Sequence, residues 1–126
     1  PALLKEWQDL VLQHGFAYGR EGTALHNKVS GTVLSAGGSK RSYSPERANH
    51  YSLKELLRPY EQSARLCGMR YLPPFAGHGT HDLSDNAIIR HAEEYRRCLE
   101  ALSKNCPDEE TCAQLEYLND WCIDEA

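Results

Sequence analysis

Apolar positions recur along this chain with two distinct periods. Leu3, Leu4, Trp7, Leu10, Val11 and His14 fall at the i, i+3/4, i+7 spacing that makes one apolar stripe, which predicts an amphipathic helix over 2–14. Pro1 suits its first turn, and Gly15 suits the position just past its end. Val29 to Ala36 is short, β-branched and nearly uncharged, with Val33 and Leu34 near its centre. It predicts a buried strand covered by helices on both faces. Ser52-Leu53-Lys54-Glu55 is a capping box, a specific helix-start signal. Pro59 divides the next segment into a short piece and a second helix from Pro59 to Cys67, closed by Gly68. Met69 to Phe75 predicts a second buried strand ended by Pro73 and Pro74. Ser84 or Asp85 then caps a strong helix with Ile88, Ala92, Tyr95, Leu99 and Leu102 on one face. Leu115, Leu118 and Cys122 form the narrow stripe of a last helix, from about Asp108 to Trp121, that docks on its own domain or on a second subunit.

Strands alternating with helices argue for a parallel α/β sheet with right-handed crossovers. Two parallel strands cannot be covered on both faces and remain stable. The pattern therefore implies further strands, either from upstream residues or from a partner.

With 126 residues the chain suits one domain, and its 40% hydrophobic and 25% charged content is ordinary for a globular protein. Charge divides it more sharply. Residues 105–126 hold seven acidic side chains (Asp108, Glu109, Glu110, Glu116, Asp120, Asp124, Glu125) and no Lys or Arg, leaving residues 1–104 with 14 basic against 11 acidic groups. That body is too mildly basic to argue for nucleic acid, though it suits an anionic small ligand. The division predicts a body over 1–104 and an acidic amphipathic tail helix over 105–126. No apolar run approaches a bilayer span and no secretory signal is visible; Pro1 either follows a removed methionine or continues from residues upstream.

Five cysteines without a CxxC pair read as reduced thiols packed as small hydrophobes, with a Cys106–Cys112 or Cys112–Cys122 crosslink as the alternative. His78 and His81, separated by a glycine and a threonine on a loop, lack the further ligands a zinc site needs, and no metal is expected. No Ser-His-Asp order or activated cysteine stands out. Three glycines fall between Gly15 and Gly22, which makes Phe16 to Asn27 a loop; its Phe16 and Tyr18 are either anchors or walls of a flat-ligand pocket. Gly37-Gly38, just past the first strand, is either a plain turn or a place where backbone approaches a ligand closely. In open α/β sheets such ligands lie beyond the carboxyl ends of the strands.

Three separated runs, PALLKEWQDLVLQHGFAYG, LSAGGSKRSY and LRPYEQSARLCGMRYLPPF, resemble the flavodoxin-like NAD(P)H:quinone oxidoreductases, and most of all the ancillary reductases of glutathione-regulated potassium-efflux systems. The resemblance runs from Pro1 to about Leu118. It implies a three-layer α/β/α fold around a five-stranded parallel sheet, here lacking its amino-terminal strands, and two-electron hydride transfer from NAD(P)H to quinones through FMN (FAD in some relatives). It also implies a cytoplasmic homodimer with sites at the subunit interface, and a transporter as a further partner. Alternatively, a chain without the flavin phosphate loop, which lies upstream of Pro1 in the family, would serve as a non-catalytic dimerising or regulatory module.

Carried over by residue, Ser35-Ala36-Gly37-Gly38 matches the family's Thr-Thr-Gly-Gly loop against the flavin ring, with one hydroxyl lost at Ala36. Tyr43 matches the tyrosine that stabilises charge developing on the ring. A family histidine often comes six residues later; here Asn49 stands there and His50 one further on. Tyr18 matches an aromatic wall of the substrate site with Phe16 supporting it, and His78 lines the same pocket.

Overall fold

The computed structural model describes residues 2–124; Pro1 and Glu125, for which a helix-start role and an acidic charge were expected, lie outside them. Its elements are α1 (Ala2–Val11), β1 (Val29–Ser30), β2 (Val33–Ala36), α2 (Leu53–Leu56), α3 (Arg58–Leu66), β3 (Arg70–Tyr71), β4 (Phe75–His78), α4 (Asp85–Lys104), α5 (Glu109–Gln114) and α6 (Leu118–Asp124). They form two compact units, one from residues 1–30 and 58–71, the other from residues 31–57 and 72–126.

The first unit holds α1, α3 and the parallel pair β1–β3, with Val29 opposite Arg70. Helix α1 stops at Val11 rather than residue 14, and Gln13 turns back to donate its side-chain amide to the Leu10 carbonyl at 3.0 Å. Its apolar stripe is not covered in this unit: Leu3 is 77%, Trp7 55% and Leu10 65% exposed. The opposite row, Lys5, Gln8, Asp9 and Leu12, faces a cavity instead. In the loop after α1, a Cβ on Gly22 would sit 2.0 Å from the Tyr18 carbonyl oxygen. That close approach, rather than chain flexibility, is why glycine stands there.

The second unit holds β2 and β4 as a parallel pair in the register Val33–Phe75, Leu34–Ala76, Ser35–Gly77 and Ala36–His78. Each of the two expected strands is thus two short ones. Val29–Ala36 breaks at Gly31-Thr32, and the second run resumes at Phe75 beyond Leu72-Pro73-Pro74. Prolines carry no N–H for a ladder, and Pro73 and Pro74 fall in the break between β3 and β4. They therefore separate two short strands, the second of which pairs with β2. Nor is β2 buried on both faces: Val33 is exposed while Ala36 is buried.

The capping box forms as the sequence predicts, with Ser52 Oγ accepting from Glu55 N at 3.1 Å and Ser52 N donating to Glu55 Oε2 at 2.8 Å. Ser84, not Asp85, caps α4. The inward row of α4 differs from the expected one. Cys98 is buried at its centre with Tyr95, Ala101 and Leu102 beside it, whereas Ile88 and Leu99 are exposed. The helix turns on Cys98 because that residue is disulfide-bonded to Cys122 of α6. This corrects the expectation of reduced thiols throughout and of a crosslink involving Cys106 or Cys112.

The single tail helix is likewise two. Leu115 leaves helical backbone (ψ 132°), and the ammonium of Lys54 on α2 caps the carboxyl end of α5. It donates to the carbonyls of Cys112 (3.0 Å), Ala113 (3.3 Å) and Leu115 (2.9 Å), a favourable place for a cation at a helix C-terminus. The tail then docks on its own unit. Leu118, Trp121 and Cys122 bury against Leu72, Phe75 and Cys98. Leu118 N donates to the Pro74 carbonyl at 2.9 Å. The Asn119 side chain accepts from Ala76 N at 2.9 Å and donates to Ala76 O at 3.2 Å, filling the place of a neighbouring strand. Asn119→Ala strips partners from both backbone groups of Ala76 and should cost about 1–3 kcal/mol in urea unfolding. Asn119→Asp, which sets an acceptor-only carboxylate oxygen against the Ala76 carbonyl, should cost at least as much.

Candidate functional site

Because β2 and β4 are parallel, both carboxyl ends face the same way. Two loops leave from them, Gly37–Tyr43 and Gly79–Asp82. They are laced together, with Gly79 N donating to Gly38 O at 3.0 Å and Thr80 N to Ala36 O at 3.2 Å. Ser35, Ala36, Gly37, Gly38, Tyr43 and His78 are therefore brought to one end of one pair of strands.

Neither glycine of the pair is among the residues with positive φ, so left-handed backbone is not the reason for them. A Cβ on Gly37 would lie 2.2 Å from Nε2 of the exposed His81 imidazole, whereas one on Gly38 would make ordinary contact with Ser42 and the Tyr43 ring at 3.4 Å. Gly37 thus makes room for His81.

His78 ends β4. Its ring lies 5.7 Å from that of Tyr43 and 5.2 Å from that of Tyr117, which it meets edge-on at 87°. Both ring nitrogens are screened from solvent without a hydrogen-bond partner. Burial holds the imidazole below its ordinary pKa; the Gly38 backbone opposes this, while the charges of Lys40 and His91 reinforce it. Neutral His78 has one donor and one acceptor nitrogen to offer a ligand. Tyr117 is itself buried, with its hydroxyl pushed up to about 12 by burial and by the charges of Glu116, Asp120 and Tyr43. Lys40 Nζ stands 4.6 Å over the Tyr117 ring and 3.4 Å from Asp120.

His50 falls elsewhere. It is exposed in a left-handed turn (φ 59°), and Asn49 rather than His50 ties back to the Tyr43 loop, donating its side-chain amide to Ser42 O at 3.0 Å. Phe16 and Tyr18 belong to the first unit. Phe16 is exposed, while Tyr18 packs edge-on against His14 and lines a cavity of about 460 Å³ with Lys5, Asp9, Tyr60 and Cys67. Burial also raises the Cys67 thiol, which makes it a poor nucleophile at neutral pH.

Sequence reasoning missed Lys40, Tyr117 and His81 as neighbours of the site. Lys40 and Asp120 lie 80 residues apart, and no local pattern pairs them.

The parts fit the edge of a flat, polar, aromatic group. A Cβ-free backbone at Gly38, a phenol beside it and two orphaned imidazole nitrogens converge at the strand ends. The electrostatics of His78 can be checked directly. Its folded pKa lies below the unfolded value of about 6.5, so the unfolded chain takes up the proton first and stability falls as pH drops below that point. In urea unfolding between about pH 7.5 and 5, wild type should lose more stability than His78→Phe, which keeps the ring packing without the titration.

Comparison with known proteins agrees with this architecture. The family model described as "Flavodoxin-like fold" matches residues 1–99. General stress protein 14 of Bacillus subtilis is 48% identical over 93 residues, covering 74% of this chain and 53% of that protein. The glutathione-regulated potassium-efflux system ancillary protein KefF of Salmonella newport is 39% identical over 99 residues, covering 79% and 55%. Among solved structures, an NADPH-quinone reductase from P. pentosaceus superposes with a TM-score of 0.70 at 36% identity, covering 77% of this chain and 57% of that one. A general stress protein 14 from Treponema denticola in complex with FMN superposes with a TM-score of 0.76 at 38% identity, covering 81% and 58%. The chain spans about half the length of the curated relatives it matches. With a family match over 99 of its 126 residues, this chain belongs to the flavodoxin-like fold family.

Proposed function

We propose that this chain is the carboxyl-terminal portion of a flavin-dependent NAD(P)H:quinone oxidoreductase, with residues 1–104 as its share of the fold and 105–126 as an appended tail. The observation that carries the reading is the pairing of Tyr43 with half-buried His78, whose two ring nitrogens are screened from solvent without a partner, at the carboxyl ends of β2 and β4. The names of two structural neighbours, one an NADPH-quinone reductase and one an FMN complex, support it.

FMN, when bound, supplies two-electron hydride chemistry between a nicotinamide and a quinone. Ser35, Ala36, Gly37 and Gly38 would hold its ring edge through backbone groups. The Tyr43 hydroxyl would donate toward charge developing there, an electrostatic role that needs no proton transfer. His78, kept neutral by its burial, would accept or donate one hydrogen bond without adding a fixed charge. Tyr18 and Phe16 would serve quinone or nicotinamide as aromatic walls, while His50 finds no support as a catalytic group in its exposed turn.

The reading extends to a cytoplasmic homodimer. The outward stripe of Leu3, Trp7 and Leu10 is the kind of apolar face that further protein covers. No helix among the described residues is long and apolar enough to cross a membrane. The likeness to KefF supports a second reading, a non-catalytic module beside a potassium-efflux transporter at the inner face of the membrane.

Titrating FMN and FAD into the purified chain separates the two. Saturable FMN uptake with quenched flavin fluorescence supports the oxidoreductase; no uptake of either flavin favours the module. In the loaded form, Tyr43→Phe should slow reduction by NAD(P)H roughly 10²-fold with little change in flavin affinity. Unchanged kinetics would remove Tyr43 from its role.

A further inference from the structure

The family match ends at residue 99, inside α4, yet the residues after it reach back to the candidate site. Tyr117 covers one side of His78 and lies under Lys40. Asp120 takes the same Lys40 ammonium at 3.4 Å, so one loop lysine is held by two tail residues. Asn119 occupies the free side of Ala76, two residues before His78. These contacts come from a six-residue stretch that ends at Cys122, which is bonded to Cys98 of α4 with Cα atoms 5.0 Å apart. The bond therefore closes a loop between cysteines 24 positions apart that carries all of them.

We propose that the carboxyl-terminal segment is a strap, latched by the Cys98–Cys122 bond, that positions the Lys40 loop and seals His78, and that a dithiol reductant unlatches it. In the exchange, one thiolate of the reductant attacks Cys98 or Cys122, the S–S bond breaks and a mixed disulfide forms. The reductant's second thiol then displaces the protein sulfur. Two electrons and two protons pass from the dithiol, leaving Cys98 and Cys122 as thiols and the reductant as a disulfide. Both cysteines are buried, so exchange waits on opening of the short helix α6, and the latch responds slowly to a sustained reducing change.

Lys40, Tyr117 and Asp120 are positioning residues here. The groups around His78 that can carry charge are Tyr43 and Lys40 from the first loop, His91 from α4, and Tyr117 with its neighbours Glu116 and Asp120 from the tail. Releasing the tail removes the last three and admits water.

This inference rests on the oxidoreductase reading only for what the strap controls, so its test uses the flavin-free full chain. Peptide mass mapping after alkylation should show Cys98 and Cys122 protected before dithiothreitol and labelled after it. On reduction, amide exchange at Ala76 should quicken at least ~10-fold while α3 amides stay unchanged. The His78 imidazole, followed by NMR, should shift its titration up toward the ordinary range. Tyr117→Leu in the oxidised chain should move the His78 titration the same way while leaving the disulfide protected. Labelling of both cysteines before reduction would overturn the proposal. So would unchanged Ala76 exchange and His78 titration on reduction, or acceleration shared by α3, which marks global unfolding. Failure of the chain to bind FMN would sink the oxidoreductase reading and leave these outcomes standing.

Discussion

The register of β2 against β4 is the constraint on which the rest of the second unit depends. Placing Ala36 opposite His78 brings two strand ends level, so that Gly37-Gly38 and Gly79 leave side by side and can exchange backbone hydrogen bonds. A slip of one residue would turn Ala76 and His78 to the other face of the ladder. His78 would then lose both its aromatic neighbours. The register is fixed from outside as well as within, by Phe75 in the main apolar cluster and Ala76 in the smaller one with Leu53 and Tyr117.

Half-burial of His78 beside two phenols gives the site its chemical character. A neutral imidazole with both nitrogens unpartnered costs stability in the chain alone, and such costs concentrate where a ligand is to be bound. Tyr43 adds a donor on the open side, while Tyr117, whose hydroxyl stays protonated far above neutral pH, closes the other. The cluster is weakly polar with a lysine nearby, a character that suits a delocalised ring more than a compact ion.

Local signals in the chain are legible where local physics decides them. Ser52 and Glu55 form their capping box, Gly68 ends its helix in left-handed backbone, and Ser84 starts the long helix, because each answer lies within four residues. The family resemblance pointed to the Gly37-Gly38 and Tyr43 loop, which the structure sets at the carboxyl end of β2, and the fold it implied agrees with the family match over residues 1–99. Sequence and structure part where partners are distant. The face of α4 is set by Cys98 meeting Cys122, not by the spacing of Ile88 and Leu99. The tail breaks in two because Lys54, some sixty residues upstream, takes the last carbonyls of α5. The stripe on α1 reads as inward because covered stripes are the rule, yet here the polar row faces the cavity.

The Asn119 amide also has a meaning for solubility. The outer side of β4 presents Pro74 O and both backbone groups of Ala76, the start of a template on which another extended chain could add itself. Leu118 N and the Asn119 side chain occupy all three. A side chain satisfies the edge as a strand would but offers no further edge beyond it, so pairing ends there. The tail thus acts as a terminator of β-polymerisation, and a chain that lost it would be prone to ordered aggregation as well as to loss of stability.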